Sequence, residues 1–181
     1  GPGHGRRSSG DCLGGMIRCR HHRIEFLACL RMNDRHGHSV EAPFWKEHPQ
    51  WHLEEYRGGL DYKYDGVRDK LLAFVEEVLD SYEVDGIEFD YMRWCHVFRP
   101  GEAERNTPLL TGMTDRARRL LDGAAKRRGV GSLRLGVRVP QTLGECHALG
   151  FDVAAWVKQG LVDYIVPSDF INSDLNIKVE E

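Results

Sequence analysis

The chain has 181 residues, of which 41% are hydrophobic and 29% charged, and its formal net charge is -3 at pH 7. That length supplies one hydrophobic core, and the dispersed basic residues indicate no nucleic-acid partner. No apolar run is long enough to predict a membrane span. The five cysteines lack the paired spacing of a disulfide framework or a zinc ribbon. The sequence therefore predicts one globular domain with neither a nucleic-acid nor a membrane partner, and leaves the compartment open.

The first 22 residues are rich in Gly, Ser, Arg and His and show no sustained periodicity. This composition predicts a disordered or leader-like tail ahead of a domain spanning residues 23–181. Cys19, His21 and His22 stand close together in it, but no second pair of ligands accompanies them. No metal site is predicted there.

Strands and helices alternate through the rest of the chain. Strands are expected at residues 24–33, 84–94, 133–140 and 162–170, where apolar and polar residues alternate. Helices are expected from Asp65, from near Thr114 to Gly129, and from Asp152 to Gly160, each with an apolar stripe and a cap. Residues 34–64 form a long connection rich in Trp, Tyr and His, which suits either sugar binding or a simple cap over the fold.

This order predicts an α/β fold, specifically a partial (β/α)8 barrel with about four parallel strands and three helices. A complete barrel needs about 250 residues. Half a barrel leaves two unpaired sheet edges and part of an apolar interior open, so self-association that covers those edges is a further expectation.

The second predicted strand carries the most informative pattern. Ile87 and Phe89 alternate with Glu88 and Asp90, so the apolar pair faces the helices and the acids face the barrel axis. Asp90, the last inward residue, lies at the rim where barrel enzymes place their catalytic groups. Arg31 and Arg138 close neighbouring strands on the same side. The alternative is an edge strand with a solvated polar face.

The segment Asp85-Gly86-Ile87-Glu88-Phe89-Asp90-Tyr91-Met92-Arg93 resembles the fourth-strand signature DGIxFDYxR of glycoside-hydrolase-like TIM barrels, which are related to the α-amylase and α-galactosidase barrels. Looser similarity extends to residues 30–34, 135–138 and 160–167, as third, fifth and sixth strands. The resemblance covers roughly residues 24–170. It implies a glycoside hydrolase that acts on an oligo- or polysaccharide with two carboxylates and no cofactor.

By that resemblance Asp90 matches the nucleophile. A fifth-strand Glu is missing, because that strand closes on Arg138 and Pro140, so Asp169 at the end of the sixth strand is the expected acid/base and Glu145 the reserve. One of the two acids must be ionised and the other protonated. Residues expected to bind substrate around them are Arg31, Asn33, Asp34, His36, Glu88, Arg93, Trp94 and Arg138. Glu88 is also expected to hold Arg31 or Arg138 in place.

Three other interpretations stay open. A non-catalytic carbohydrate-binding barrel needs the aromatic connection but no acid pair. A metal-dependent hydrolase or lyase would use Asp34, His36 and His38, whose D-x-H-x-H spacing brings three donors together. An inactive fragment of a barrel is the third.

Overall fold

A computed structural model describes residues 9–33, 42–56 and 59–169 of the chain. Its strands are β1 (Leu27–Arg31), β2 (His52–Leu53), β3 (Gly59–Leu60), β4 (Gly86–Asp90), β5 (Arg134–Val139) and β6 (Tyr164–Pro167). Its helices are α1 (Ser9–His21), α2 (Pro43–Glu47), α3 (Asp65–Ser81), α4 (Ala103–Arg128), α5 (Leu143–Ala148) and α6 (Val153–Lys158). None of the described helices is both long and apolar enough to cross a bilayer.

The main sheet contains four parallel strands that lie side by side in chain order, β1-β4-β5-β6. The predicted α/β fold with a parallel sheet is therefore confirmed. Within the described ranges the sheet is open, with β1 and β6 at its edges, and no barrel is closed. β2 and β3 form a separate antiparallel pair within the aromatic connection.

One face of the sheet carries the hydrophobic core. Ile87 and Phe89 of β4 are fully buried and share the core with Leu135 and Val137 of β5. Side chains of α3, α4 and α6 complete this core. The period of two predicted this face correctly, because successive side chains of a strand point to opposite sides.

The other face of the sheet, here called the open face, is polar. The side chains at its positions are Leu27, Cys29, Arg31, Glu88, Asp90, Arg134, Arg138, Tyr164 and Val166. Cys29, Arg31 and Arg134 are exposed, whereas Glu88, Arg138 and Tyr164 are half-buried. This face is therefore mainly polar or charged rather than the apolar interior that was expected, with Leu27 and Val166 as its aliphatic side chains.

Aspartates immediately before two strands tie the sheet together at its N-terminal end. The Asp85 carboxylate accepts a hydrogen bond from the Phe26 amide at 2.8 Å, and the Asp163 carboxylate accepts one from the Leu135 amide at 2.7 Å. A Cβ on Gly86 would lie 2.3 Å from the carbonyl oxygen of Arg134, so only glycine fits. The Asp85-Gly86 pair at the start of β4 therefore has a structural role.

The two long helices differ from prediction at their starts. Tyr64, not Asp65, is the N-cap residue of α3, and the Asp65 carboxylate pairs with Arg68 instead. α4 begins at Ala103, well before Thr114, and contains Pro108. Burial of Leu110 and of residues further along the same face offsets the hydrogen bond that proline removes. α4 ends as predicted, with Gly129 in the left-handed conformation at φ 67°.

Two short helices, α5 and α6, form the connection from β5 to β6. α5 was not predicted, although Thr142 and Glu145 form the reciprocal capping box that its Thr-x-x-Glu sequence allows. α6 starts after Asp152, whose carboxylate accepts a hydrogen bond from the Ala155 amide at 2.9 Å, as predicted. Gly160, with φ 66°, follows its end.

α1 lies within the segment for which composition predicted a tail. Met16 is buried, Gly15 approaches the ring of Phe26, and Arg20 pairs with Glu83. These contacts fix the helix against the N-terminal end of the sheet. They are non-local, so the composition of residues 1–22 did not reveal them.

The β1 edge borders a groove of about 510 Å³ between the sheet and α3. Its lining includes Leu30, Met32, Leu71, Phe74 and Val78. Phe74 is 44% exposed there, although it belongs to the apolar stripe of α3. Among the described residues no further strand pairs with this edge of the sheet, and apolar side chains lie beside it.

Candidate active site

Three charged residues form a row across the C-terminal end of the sheet, here called the rim row. Arg31 of β1 is the register partner of Asp90, and Asp90 is the partner of Arg138 in β5. Because the strands are parallel and the register carries no shift, the three residues lie at the same height and on the same face. The period-two interpretation of the strands is the reason this alignment was expected.

Asp90 is the buried member of the rim row. Its Oδ1 accepts a hydrogen bond from the Met92 amide at 2.9 Å, which fixes the carboxylate at the strand end. Its Oδ2 lies 3.9 Å from Nη1 of Arg138, and 10% of its side chain is exposed. The carboxylate is therefore held by main chain on one side and faces a cation on the other.

Arg138 links Asp90 to the end of β6. Its Nη2 donates a hydrogen bond to Oγ of Ser168 at 2.9 Å, and Ser168 precedes Asp169. Its Nε is buried and has no hydrogen-bond partner within the described residues. The side chain is still 40% exposed. Arg138 thus lies between Asp90 and Ser168, the residue that precedes Asp169.

Glu88 lies one step below Asp90 on the open face, and it does not hold an arginine as expected. Its Oε2 accepts a hydrogen bond from the Tyr164 hydroxyl at 2.9 Å, across the intervening strand. The crossing is possible because Gly136 lies between them: a Cβ there would lie 2.0 Å from Cζ of Tyr164. Burial, followed by the hydrogen bond and the charge of Glu88, raises the pKa of Tyr164.

Cys29 is the other neighbour of Glu88, and the two are register partners. Although the residue as a whole is exposed, desolvation of the Cys29 thiol raises its pKa to about 11, with the charges of Glu88 and Asp90 contributing. The thiol is therefore neutral at pH 7. Glu88 consequently lies between two groups that keep their protons, which suits a structural carboxylate more than a reacting one.

Asp169 follows β6 and lines a cavity of about 150 Å³ between the loops after β4, β5 and β6. Nε2 of Gln141 lies 3.5 Å from its Oδ2, and the cavity wall also includes Glu145. The Glu145 carboxylate accepts hydrogen bonds from both the amide and the hydroxyl of Thr142. Glu145 is thereby committed to capping α5, which favours Asp169 over this reserve acid.

Asn33 is buried and uses its amide to hold main chain. Its Nδ2 donates to the carbonyls of His96 at 2.9 Å and Leu60 at 3.3 Å, and its Oδ1 accepts from the Leu60 amide at 2.8 Å. These bonds tie β3 to the end of β1. They favour a structural role, and substrate binding by Asn33 stays a prediction.

Aromatic and imidazole rings stack on one another in the connection between β1 and α3, and one of them stacks on His96 after β4. The Tyr56 and His96 rings stack with centroids 4.0 Å apart, and Asn33 anchors His96 through its carbonyl. Further stacked pairs are Trp45 with His52 at 3.6 Å and His48 with Trp51 at 3.7 Å. Arg93 and Trp94 are half-buried in the turn after β4. Flat ring faces of this kind suit sugar rings.

The D-x-H-x-H group lies outside the described residues, so Asp34, His36 and His38 have no structural account. Among the described residues no group of three or more His, Cys, Asp or Glu side chains could hold a metal ion. Basic residues of α4 form ion pairs within the fold. Arg116 pairs with Asp69, and Arg118 pairs with Asp122 and Asp163.

Sequence reasoning missed Tyr164, Ser168 and Gln141 as partners of the site. Tyr164 could have been found, since it has the inward parity of its strand and Gly136 is its register partner. Ser168 and Gln141 follow strand ends in irregular backbone, where no periodicity signals orientation.

No known protein-family model matches the chain, and no curated protein is significantly similar to it.

Proposed function

We propose that the protein is a glycoside hydrolase built on part of a (β/α)8 barrel, with Asp90 as nucleophile and Asp169 as acid/base. The observation that carries the proposal is the buried Asp90 carboxylate at the C-terminal end of β4, facing Arg138. Barrel enzymes carry their catalytic groups at this end of the strands. The sequential strand order β1-β4-β5-β6 is the order that a barrel requires.

The two acids differ in their surroundings, as the reaction requires. Asp90 has the Arg138 guanidinium at 3.9 Å and accepts a main-chain hydrogen bond at 2.9 Å, which orient its carboxylate at the strand end. Asp169 lines a cavity with Met92, Pro140 and Leu149, where a leaving-group oxygen can meet it. Cleavage of a glycosidic bond uses two carboxyl groups in different surroundings.

Turnover of a panel of 4-nitrophenyl glycosides and soluble polysaccharides tests the proposal. Asp90→Asn and Asp169→Asn should each lower kcat by about a hundredfold or more, since the first removes the nucleophile and the second the acid/base. Asp80→Asn is the matched control, because Asp80 is an exposed residue of α3 that pairs only with Arg127 of α4 among the ion pairs described. It should keep full activity.

Two results would contradict the proposal. One is the absence of turnover on every substrate, and the other is undiminished turnover in Asp90→Asn with native circular dichroism. Sugar binding that survives Asp90→Asn in a protein without any turnover would instead support the carbohydrate-binding barrel, for which the stacked rings around Trp51 and Tyr56 provide a surface.

Self-association remains a prediction of the same barrel interpretation. The β1 edge, with its groove of about 510 Å³, and the β6 edge are the surfaces that a second copy would cover. Sedimentation that depends on protein concentration would support it, and a monomer at all concentrations would not.

A further inference from the structure

The two carboxylate oxygens of Asp90 have different surroundings. Oδ1 accepts a hydrogen bond from the Met92 amide at 2.9 Å. Oδ2 lies 3.9 Å from Nη1 of Arg138, which is longer than a hydrogen bond. Arg138 therefore faces Oδ2 as a cation without being hydrogen-bonded to it.

The position of the Arg138 guanidinium is set by Ser168. Nη2 of Arg138 donates to Oγ of Ser168 at 2.9 Å, and within the described residues this is the hydrogen bond found for the Arg138 side chain. Ser168 is buried, and its amide donates to the Val139 carbonyl at 2.9 Å, so its Oγ is fixed beside the end of β5. Because a guanidinium is planar and rigid, holding Nη2 at Ser168 restricts where Nη1 can lie.

The backbone does not keep Arg138 away from Asp90. The two residues are register partners, and the Tyr91 amide donates to the Arg138 carbonyl at 3.0 Å. Neighbouring strands are about 4.8 Å apart, a distance that an arginine side chain spans. Without the Ser168 contact, the guanidinium should turn and donate to Oδ2, since a charge-assisted hydrogen bond is stronger than an ion pair held beyond that distance.

Such a hydrogen bond would oppose the proposed reaction. Oδ2 of Asp90 has to form a bond to the anomeric carbon while the glycosidic C–O bond breaks and the leaving oxygen takes the proton of Asp169. Water then cleaves the glycosyl ester and returns a proton to Asp169. An N–H bound to Oδ2 stabilises the carboxylate more than the ester that it becomes, so it raises the barrier to attack.

We propose that Ser168 is a positioning residue, which holds the Arg138 guanidinium beyond hydrogen-bond distance of the Asp90 nucleophile. This proposal rests on the glycoside hydrolase function and adds to it a residue that acts through Arg138.

A mutant cycle of Ser168→Ala, Arg138→Met and the double variant tests the proposal. In Ser168→Ala, kcat on the best glycoside of the panel should fall about tenfold, with KM changed by less than about twofold, because the new hydrogen bond is lost during attack. Methionine at position 138 has no donor. In that background the Ser168→Ala change should alter kcat by less than about twofold.

Two variants control for the loss of a buried hydroxyl. Ser168→Thr keeps the acceptor oxygen and should retain kcat within about threefold. Thr114→Val removes a buried hydroxyl that donates to the Leu110 carbonyl inside α4, and it should keep full activity. Circular dichroism checks the fold of each protein.

Crystal structures of the wild-type protein and of Ser168→Ala measure the contact directly. We expect the distance from the Arg138 guanidinium to Oδ2 of Asp90 to shorten from 3.9 Å to about 2.8 Å in the variant. This measurement does not depend on turnover.

The outcomes separate the two proposals. An unchanged distance in Ser168→Ala, or an equal loss of kcat in both backgrounds, would overturn the role of Ser168 and leave the hydrolase function standing. Absence of turnover by the wild-type protein on every substrate would overturn the hydrolase function and the positioning role with it.

Discussion

Gly136→Ala isolates the contact that organises the open face. The new Cβ would lie 2.0 Å from Cζ and 2.4 Å from the hydroxyl oxygen of Tyr164, so the tyrosine ring must leave its place over the strand. The hydrogen bond to Glu88 is then lost. Overpacking costs about 1–3 kcal/mol, and the hydrogen bond of a half-buried pair contributes about 1 kcal/mol. A decrease of about 2 kcal/mol in the free energy of unfolding is expected.

The same change should cost nothing once the ring is removed. In the Tyr164→Ala background, alanine at position 136 meets no ring, and it replaces a glycine that weakens a strand by about 0.5–1 kcal/mol. A double-mutant cycle should therefore give a coupling energy of about 2–3 kcal/mol. Urea unfolding followed by circular dichroism measures all four proteins. An equal cost of Gly136→Ala in both backgrounds would refute the reasoning.

Two further predictions concern Cys29 and α4. In a variant that keeps Cys29 as its only cysteine, the thiol has a pKa of about 11 in the folded protein. At pH 8 it should therefore react with a disulfide reagent about tenfold more slowly in the folded protein than in the urea-unfolded protein. Its rate should continue to rise between pH 9 and 11, and Glu88→Gln should increase it. Equal rates in folded and unfolded protein would contradict this. Arg128→Ala should lower stability by about 2 kcal/mol, because this side chain donates to the carbonyls of Val84, Tyr82 and Leu79. Arg127→Ala, an exposed neighbour, should change it by less than about 0.5 kcal/mol, and similar thermal shifts for both variants would argue against the role of Arg128.

The parity of the strand residues could be predicted because it is a local property. Alternation alone separated Ile87 and Phe89, which are buried, from Glu88 and Asp90 on the open face. The helix caps at Asp152 and Gly129 could also be predicted from the sequence, since each acts within one helical turn. These signals were sufficient for the α/β class and for the position of Asp90.

What the sequence did not reveal depends on contacts between distant segments. α1 is fixed by Phe26 and Glu83, and the start of α4 is decided by buried side chains around Pro108. The role of Asn33 depends on Leu60 and His96. The partners of these contacts are far apart in the sequence. Local patterns therefore predicted neither helix α1 in residues 1–22 nor the hydrogen bonds that Asn33 makes to main chain.

Because the open face is polar, a second copy of the chain is not needed to cover it. Its carboxylates have partners within the same sheet, Glu88 through Tyr164 and Asp90 through Arg138 and the Met92 amide. Contact with water therefore costs little there, and no apolar layer is needed to cover it. The β1 edge differs, because no other strand of the described part of the chain pairs with it and Phe74 beside it is exposed. Any association that the barrel interpretation requires should accordingly act through the strand edge, leaving the rim row accessible to substrate.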